Sequence, residues 1–495
     1  MKRFVPVLLL FTISGMALAQ QKNQPAARKP VARPADAAGR HIAIKLTPLK
    51  NCKIYLGSYY GTGMALMDST QLNANSEGVF KGPTKLTGGI YFVVSPEKTM
   101  QFDLLMDKNQ HFSIIADTAA KDKAVITGSP ENDLYKQYAH YMADLGPKLN
   151  AAKQAYQAAK TKADSAHALA ESQQLTQAME TYRNSISEKH PNSLLAVLLN
   201  TMKVPATPAI PVINGKPDSS YPYRYVKEHY WDDVLFNDDR LLHTPFFERK
   251  LDEYFKNMVS PDPDSIINEV KYILLSARTG KEIYPYLLTK FTNKYMNPEY
   301  MGQDKVFIYI FENFYAKGDT VLLNPASRKT VTERAYSLMA NQLGQPAPEI
   351  TLTDTTGQQV SLYSLSAPFT FIVFWDPNCG HCKEEVPRVD SIYQAKWKKE
   401  GVQVFSVNIY DNAIPEWKKF MHEKHLSPDW IEVYETREQR ENGQRQGKIN
   451  YRQLYDIYKT PTMYLLDKDR RIIAKQLSVQ QFDDIISAKL KNSKP

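Results

Sequence analysis

Phe369-Thr370-Phe371-Ile372-Val373-Phe374-Trp375 runs through Asp376-Pro377-Asn378 into Cys379-Gly380-His381-Cys382. The first stretch is almost wholly apolar and rich in β-branched and aromatic side chains, as expected of a strand buried on both faces. A helical pattern follows it, so the two thiols fall at a strand-to-helix turn. Cysteines at this spacing close a small ring with little backbone movement. They read as a redox pair, Cys379–Cys382, able to take up and return two electrons.

The nucleophile in disulfide exchange is the thiolate, and an unperturbed cysteine titrates near pH 8.5, so negative sulfur must be stabilised at neutral pH. A helix N-terminus does this through its unpaired N–H groups and the positive end of its dipole. Cys379 therefore reads as the attacking thiol and Cys382, one turn further in, as the resolving thiol. His381 between them adds a push toward thiolate when protonated and favours a more oxidising pair. A structural zinc site usually needs four ligands, whereas the one other cysteine is the distant Cys52. An inert disulfide is the other alternative, although so short a loop removes little unfolded-chain entropy.

Residues 341–495 resemble a thioredoxin-like domain of the TlpA/ResA-like thiol-disulfide oxidoreductases. The resemblance rests on the entry segment Gly344-Gln345-Pro346-Ala347-Pro348-Glu349-Ile350-Thr351-Leu352 with Asp354–Leu362, on the strand Phe371–Trp375, on Pro387 after the cysteines, and on Thr460-Pro461-Thr462 before Met463–Asp467. It implies that Pro387 bends the active-site helix, and that a cis Thr460–Pro461 bond lies beside Cys379, where the Thr460 backbone can pair with an extended substrate. Trp375 and His381 are expected as further substrate contacts. Glu385, three residues after Cys382, matches the acidic position that tunes the cysteines in ResA-like proteins; the plainer reading is a solvated helix glutamate. Val373 departs from ordinary thioredoxin, which carries a buried Asp there. Without help from Glu385, proton transfer to Cys382 would have to run through water. A peroxiredoxin-type thiol peroxidase is the nearest competing enzyme, but Asp376-Pro377-Asn378-Cys379 lacks its polar pocket pattern.

The rest of the 495-residue chain reads as further modules. Met1-Lys2-Arg3, an apolar stretch and Ala17-Leu18-Ala19 predict a signal peptide over 1–19, too short to span a bilayer. A Gln, Ala, Pro and Arg tether is expected over 20–40. Short β-rich runs punctuated by turns predict a small antiparallel sandwich over 41–129, with strands at Ile42–Leu46, Lys53–Tyr59, Gly89–Val94, Gln101–Met106 and Phe112–Ala116. Residues 130–340 read as a helical domain, opening with one long run over Asp144–Ser187. Its aromatic stretch Tyr221–Trp231 is either core or a surface for a peptide or glycan. Cys52 reads as a small buried hydrophobe. Residues 435–448 read as an ion-paired surface loop, or a docking loop beside Thr460–Pro461.

The expected architecture is thus multidomain: a small all-β N-terminal domain, an all-α middle domain and a C-terminal α/β thioredoxin-like domain. The formal charge of +9 is dispersed, with no nucleic-acid stripe or membrane-binding cluster. The expected activity is disulfide exchange with protein thiols and disulfides in the periplasm or cell envelope, as reductase or isomerase. The resemblance implies a membrane-bound electron donor, and no metal or organic cofactor is required. The alternative of another class is an envelope protein whose N-terminal domains bind a partner.

Overall fold

The computed structural model describes residues 39–120, 123–410 and 414–492. The expected signal peptide and most of the tether lie outside the described residues. The chain divides into two compact units, one taking the chain up to Val259 together with Ile273–Tyr284, the other taking Ser260–Tyr272 and Pro285 onward. The helical stretch expected as one domain over 130–340 is therefore shared between them.

In the first unit, strands β1 (Arg40–Thr47), β2 (Lys53–Tyr60), β3 (Gly63–Gln71), β4 (Glu77–Gly82), β5 (Gly89–Val94), β6 (Met100–Met106), β7 (His111–Asp117) and β8 (Val125–Thr127) form two four-stranded sheets, ordered β4-β1-β7-β8 and β3-β2-β5-β6. Ile42, Ile44 and Leu46 alternate inward along β1 and meet Leu56, Tyr91, Leu104 and Phe112 in one core. The sandwich is not wholly antiparallel, because β1 and β7 pair in parallel. Strand β3 escapes the sequence pattern because its first four residues are exposed and carry no alternation. Cys52 precedes β2 and is half-buried rather than sealed, packed against the sandwich core. Burial, then the charge of Glu97, raises its thiol above the ordinary value.

The expected single run over Asp144–Ser187 is a helical hairpin, α1 (Pro130–Ala158) and α2 (Lys162–Lys189). The break falls where Thr161 caps the second helix by accepting from the Asp164 N–H, an arrangement that offers the backbone an alternative to continuing the first helix. Asn132, near the start of α1, exchanges hydrogen bonds of 2.9 and 2.8 Å with the backbone of Leu105 on β6. Helix α3 (Leu194–Met202), the two-residue strands β9 (Val212–Ile213) and β10 (Lys216–Pro217), α4 (Tyr221–Glu228) and α5 (Phe247–Asn257) follow. The small hairpin β9–β10 means that the middle region is not purely helical. Of the aromatic stretch, Tyr230 and Trp231 are core, whereas Tyr223 is 49% exposed. Ser58, His243 and Glu282 form a hydrogen-bonded chain at 3.1 and 3.0 Å. Ser58 is fully buried, so this trio is a packing clamp and not a hydrolytic site.

Helices α6 (Pro263–Ser276) and α7 (Ile283–Met296) cross the division between units, and α8 (Asp304–Asn313) and α9 (Pro325–Met339) belong to the second. Next come β11 (Thr351–Asp354), β12 (Gln359–Ser361), β13 (Phe369–Trp375), α10 (Gly380–Ile392), β14 (Val402–Asn408), α11 (Ile414–Glu423), β15 (Ile431–Tyr434), α12 (Arg437–Arg445), α13 (Tyr451–Leu454), β16 (Thr462–Asp467), β17 (Ile472–Lys475) and α14 (Val479–Asn492). The strands make one seven-stranded mixed sheet in the order β12-β11-β15-β14-β13-β16-β17. β13 lies inside this sheet and all seven of its residues are buried. Phe371, Val373 and Trp375 face a core shared with α10, α11 and α14, and Ile372 and Phe374 face another closed by the entry segment and Tyr451 of α13. Each such large side chain contributes about 1.5–3 kcal/mol of burial, which fixes the strand end from which the cysteines depart.

Residues 435–448 are not the expected loop. Thr436 and Gln439 form a reciprocal capping box, Arg437 pairs with Glu441 one turn on, and α12 results. Gln439 also accepts from the Thr353 hydroxyl at 3.0 Å, so this helix seats on β11.

Behind β17 the Lys475 ammonium is enclosed by Asp304 Oδ2 at 2.7 Å and by the carbonyl and side-chain oxygens of Asn341, both at 2.8 Å. All three of its N–H groups are satisfied, which is what makes a buried ammonium tolerable. Removing the carboxylate strands the charge: Asp304→Ala is expected to lower unfolding stability by about 3–5 kcal/mol, read from the urea midpoint.

Candidate active site

β13 ends at Trp375, and Asp376 turns the chain by accepting from Asn378 N at 2.7 Å through its side chain and from Cys379 N at 3.1 Å through its carbonyl. Cys379 is thereby set at the N-cap of α10 with extended backbone. The sulfur is half-buried, and its thiol donates at 3.5 Å to the Thr460 carbonyl. Cys382 lies one turn in and is buried; both cysteines are free thiols. The Thr460–Pro461 peptide is cis.

The two thiols are electrostatically unequal. Partial burial works to raise Cys379, but the Thr460 side chain, the backbone N–H of Cys382, the Cys382 thiol and the backbone N–H of His381 outweigh it and hold Cys379 below the ordinary thiol value. Desolvation pushes Cys382 up to about 12. A half-buried thiol whose ionisation is favoured, one turn from a buried thiol whose ionisation is opposed, is an arrangement suited to disulfide exchange.

The remaining predicted residues are placed differently. His381 sits between the cysteines with its side chain exposed, and what it gives Cys379 is a backbone N–H. Pro387 lies inside α10, one turn beyond the cysteines. The Glu385 carboxylate turns along the helix to Arg388 at 2.6 Å. Trp375 is a correction: expected as a substrate contact, it is fully buried, and its indole N–H donates to Ser406 Oγ at 2.8 Å. Trp375 shares the face of Phe371 and Val373, which packs against α10, so it supports the turn from below.

One residue was missed. Across the sheet, Met463, Val373, Ser406 and Glu432 lie in one register row. Glu432 therefore brings a carboxylate to the same face as Val373, two strands away. Both of its oxygens are sealed from solvent, and among the described residues neither completes a hydrogen bond of good geometry. Desolvation pushes the group up to about 8, with Ser406 and Trp417 pulling it back and the charge of Asp390 pushing it further. The available signal was a lone acid inside the apolar run Trp430-Ile431-Glu432-Val433-Tyr434.

Three family models match the chain: a domain of unknown function, DUF4369, over residues 41–135; a second, DUF5106, over 167–336; and Redoxin over 342–488. The relatives include the thiol-disulfide oxidoreductase ResA of Bacillus thuringiensis (strain Al Hakam), 26% identical over 154 residues, covering 31% of this chain and 80% of the relative. ResA of Geobacillus kaustophilus (strain HTA426) is 26% identical over 157 residues, covering 32% of this chain and 76% of the relative. Among solved structures, a thioredoxin-like protein from Bacteroides caccae is 23% identical, covers 58% of this chain and 98% of its own, and superposes with a TM-score of 0.45. A domain of a possible thiol-disulfide isomerase from Cytophaga hutchinsonii is 34% identical and covers 31% of this chain and 95% of its own, with a TM-score of 0.27.

Two measurements check the electrostatics. Iodoacetamide followed by peptide mass mapping should alkylate Cys379 first, with a rate that climbs below the pH at which an ordinary thiol ionises, and should leave Cys382 unmodified up to about pH 10. For Glu432 the folded value lies above the unfolded one of about 4.3, so its contribution to stability is intact below that range and is lost as pH rises toward 8. Glu432→Gln removes this dependence. Denaturant titrations should show the variant gaining on the wild type by a few kcal/mol between about pH 5 and pH 8.

Proposed function

We propose, from a C-terminal redoxin domain of the thioredoxin fold whose relatives are ResA-type thiol-disulfide oxidoreductases, that this oxidoreductase exchanges disulfides with protein substrates through Cys379 and Cys382. The observation that carries the reading is the inequality of the two sulfurs within one helical turn, one favoured as thiolate and the other held as thiol. Cys379 attacks one sulfur of a substrate disulfide. That bond breaks, the departing substrate sulfur takes a proton from water, and a mixed disulfide forms. Cys382 then attacks Cys379 as its proton passes to the second substrate sulfur, which leaves as a thiol, and the Cys379–Cys382 disulfide remains. Two electrons have passed to the substrate, and an external dithiol must supply two more to reduce the protein disulfide.

Thr460 and Pro461 form the substrate side of the cleft, because the Thr460 carbonyl already meets the attacking sulfur. Glu385 serves as a tuning residue at the helix surface. We favour a reductase or isomerase, since the His381 imidazole is displayed to solvent while the Thr460 side chain, the Cys382 thiol and backbone N–H groups hold Cys379 below the ordinary thiol value. A periplasmic or envelope location with a membrane-bound donor accords with the leader-like residues 1–19. Among the described residues no helix is long and apolar enough to cross a membrane.

Turbidity of reduced insulin tests the activity on the full chain. Wild type should turn over with dithiothreitol, Cys379→Ala should fall to the uncatalysed rate, and Cys382→Ala should accumulate a mixed disulfide with insulin, visible by non-reducing electrophoresis. Equal rates for wild type and Cys379→Ala would refute the assignment and favour the N-terminal domains as the working part. A glutathione redox titration then sets the direction, with a potential of about −270 mV for a reductant and about −120 mV for an oxidant.

A further inference from the structure

In the helical part of the first unit, beside the aromatic stretch that disulfide exchange leaves unused, a cavity of about 190 Å³ opens against Tyr225, His229, Tyr230 and Lys250. Lys250 comes from α5 and is only 9% exposed. Its ammonium donates one hydrogen bond, at 2.7 Å, to the Lys203 carbonyl, and lies 4.8 and 5.6 Å from the ring centroids of Tyr230 and Trp231. Among the described residues no carboxylate touches it. The acids nearby are committed elsewhere, Asp233 to Lys203 at 2.9 Å, Asp232 to His229 at 2.6 Å and Glu253 to Arg249 at 3.0 Å.

An ammonium removed from water without an anion costs several kcal/mol, and ring faces return only about 0.5–2 kcal/mol. Lys475 in the same chain shows what a completed site looks like, with an oxygen for each N–H. Lys250 has one carbonyl and an open cavity. Its ammonium is pushed down to about 8 by burial, against the weaker pull of Asp233, with Lys203 adding to the fall and Glu253 opposing it. Apart from the Lys203 carbonyl and two ring faces, the protein itself offers this ammonium no direct partner among the described residues.

We propose that this cavity is a binding site for a small organic carboxylate, whose oxygens take the N–H groups that the Lys203 carbonyl leaves free on Lys250. Asp232 and Asp233 line the same cavity and repel any anion, but a singly charged carboxylate less than a dianion such as phosphate. The space suits a body of about one ring, since a cavity of about 150 Å³ accommodates benzene. The Tyr225 and His229 rings, 4.2 Å apart between centroids, form an aromatic wall. The same head group occurs on free acids and at the C-terminus of a peptide, and the two sources are separable.

Isothermal titration of the full-length protein with benzoate, its uncharged isostere benzamide and inorganic phosphate tests the site without reference to redox activity. Benzoate should bind with a Kd of about 1 mM or tighter, and benzamide and phosphate at least about tenfold more weakly. Lys250→Met should lose benzoate by a similar factor while Lys250→Arg retains part of it. A tripeptide with a free C-terminus matching benzoate, while its amidated form does not bind, identifies chain ends as the source; benzoate binding alone identifies a free acid. Benzamide binding as well as benzoate, or no carboxylate binding to wild type at about 10 mM, overturns the proposal. The wild-type comparison holds even if Lys250→Met does not fold.

Discussion

Everything chemical in the second unit depends on one constraint: a sulfur held at the open end of a helix that cannot move away from it. The unpaired N–H groups of that first turn are a fixed positive environment, and their value to an anion falls off within a turn. The buried strand β13 and the Asp376 turn hold Cys379 at that position, where the Thr460 side chain adds to the backbone N–H groups. The same geometry carries Cys382 one turn inward, where the loss of water reverses the sign of the effect. A single covalent spacing thus places one thiol where its ionisation is favoured and the other where it is opposed.

The carboxylate usually expected beneath such a pair is absent from Val373, and a buried acid appears two strands along the same register row, at Glu432. In that place the acid is buried and its ionisation is opposed by loss of water. The indole of Trp375 and the hydroxyl of Ser406 lie between the two regions, joined by a hydrogen bond. The polar interior of this domain is therefore organised along the sheet and not along the active-site helix.

What was legible in the sequence followed from strong, local patterns. The run Phe369–Trp375, the two thiols and the prolines at 387 and 461 each constrain the backbone through their own chemistry, and the turn and its neighbours emerged as expected. Weak patterns misled. β3 lacks alternation because it is exposed, and the charged segment that became α12 concealed its capping box beneath an excess of Arg, Glu and Gln. Trp375 was misassigned because proximity in sequence to a reactive cysteine says nothing about which side of the sheet a side chain takes. Glu432 escaped because its meaning lies in the register of β14 and β15, which no short stretch of sequence encodes.

The enclosure of Lys475 bears on what counts as a self-sufficient piece of this chain. The redoxin match begins at residue 342, yet two of the oxygens that neutralise Lys475 belong to Asn341 and the third to Asp304, back in α8. A fragment cut at the family border inherits a cation and leaves its counter-charge behind. A fragment beginning at residue 342 therefore keeps the buried ammonium without the groups that hold it, at a cost of about 3–5 kcal/mol in stability.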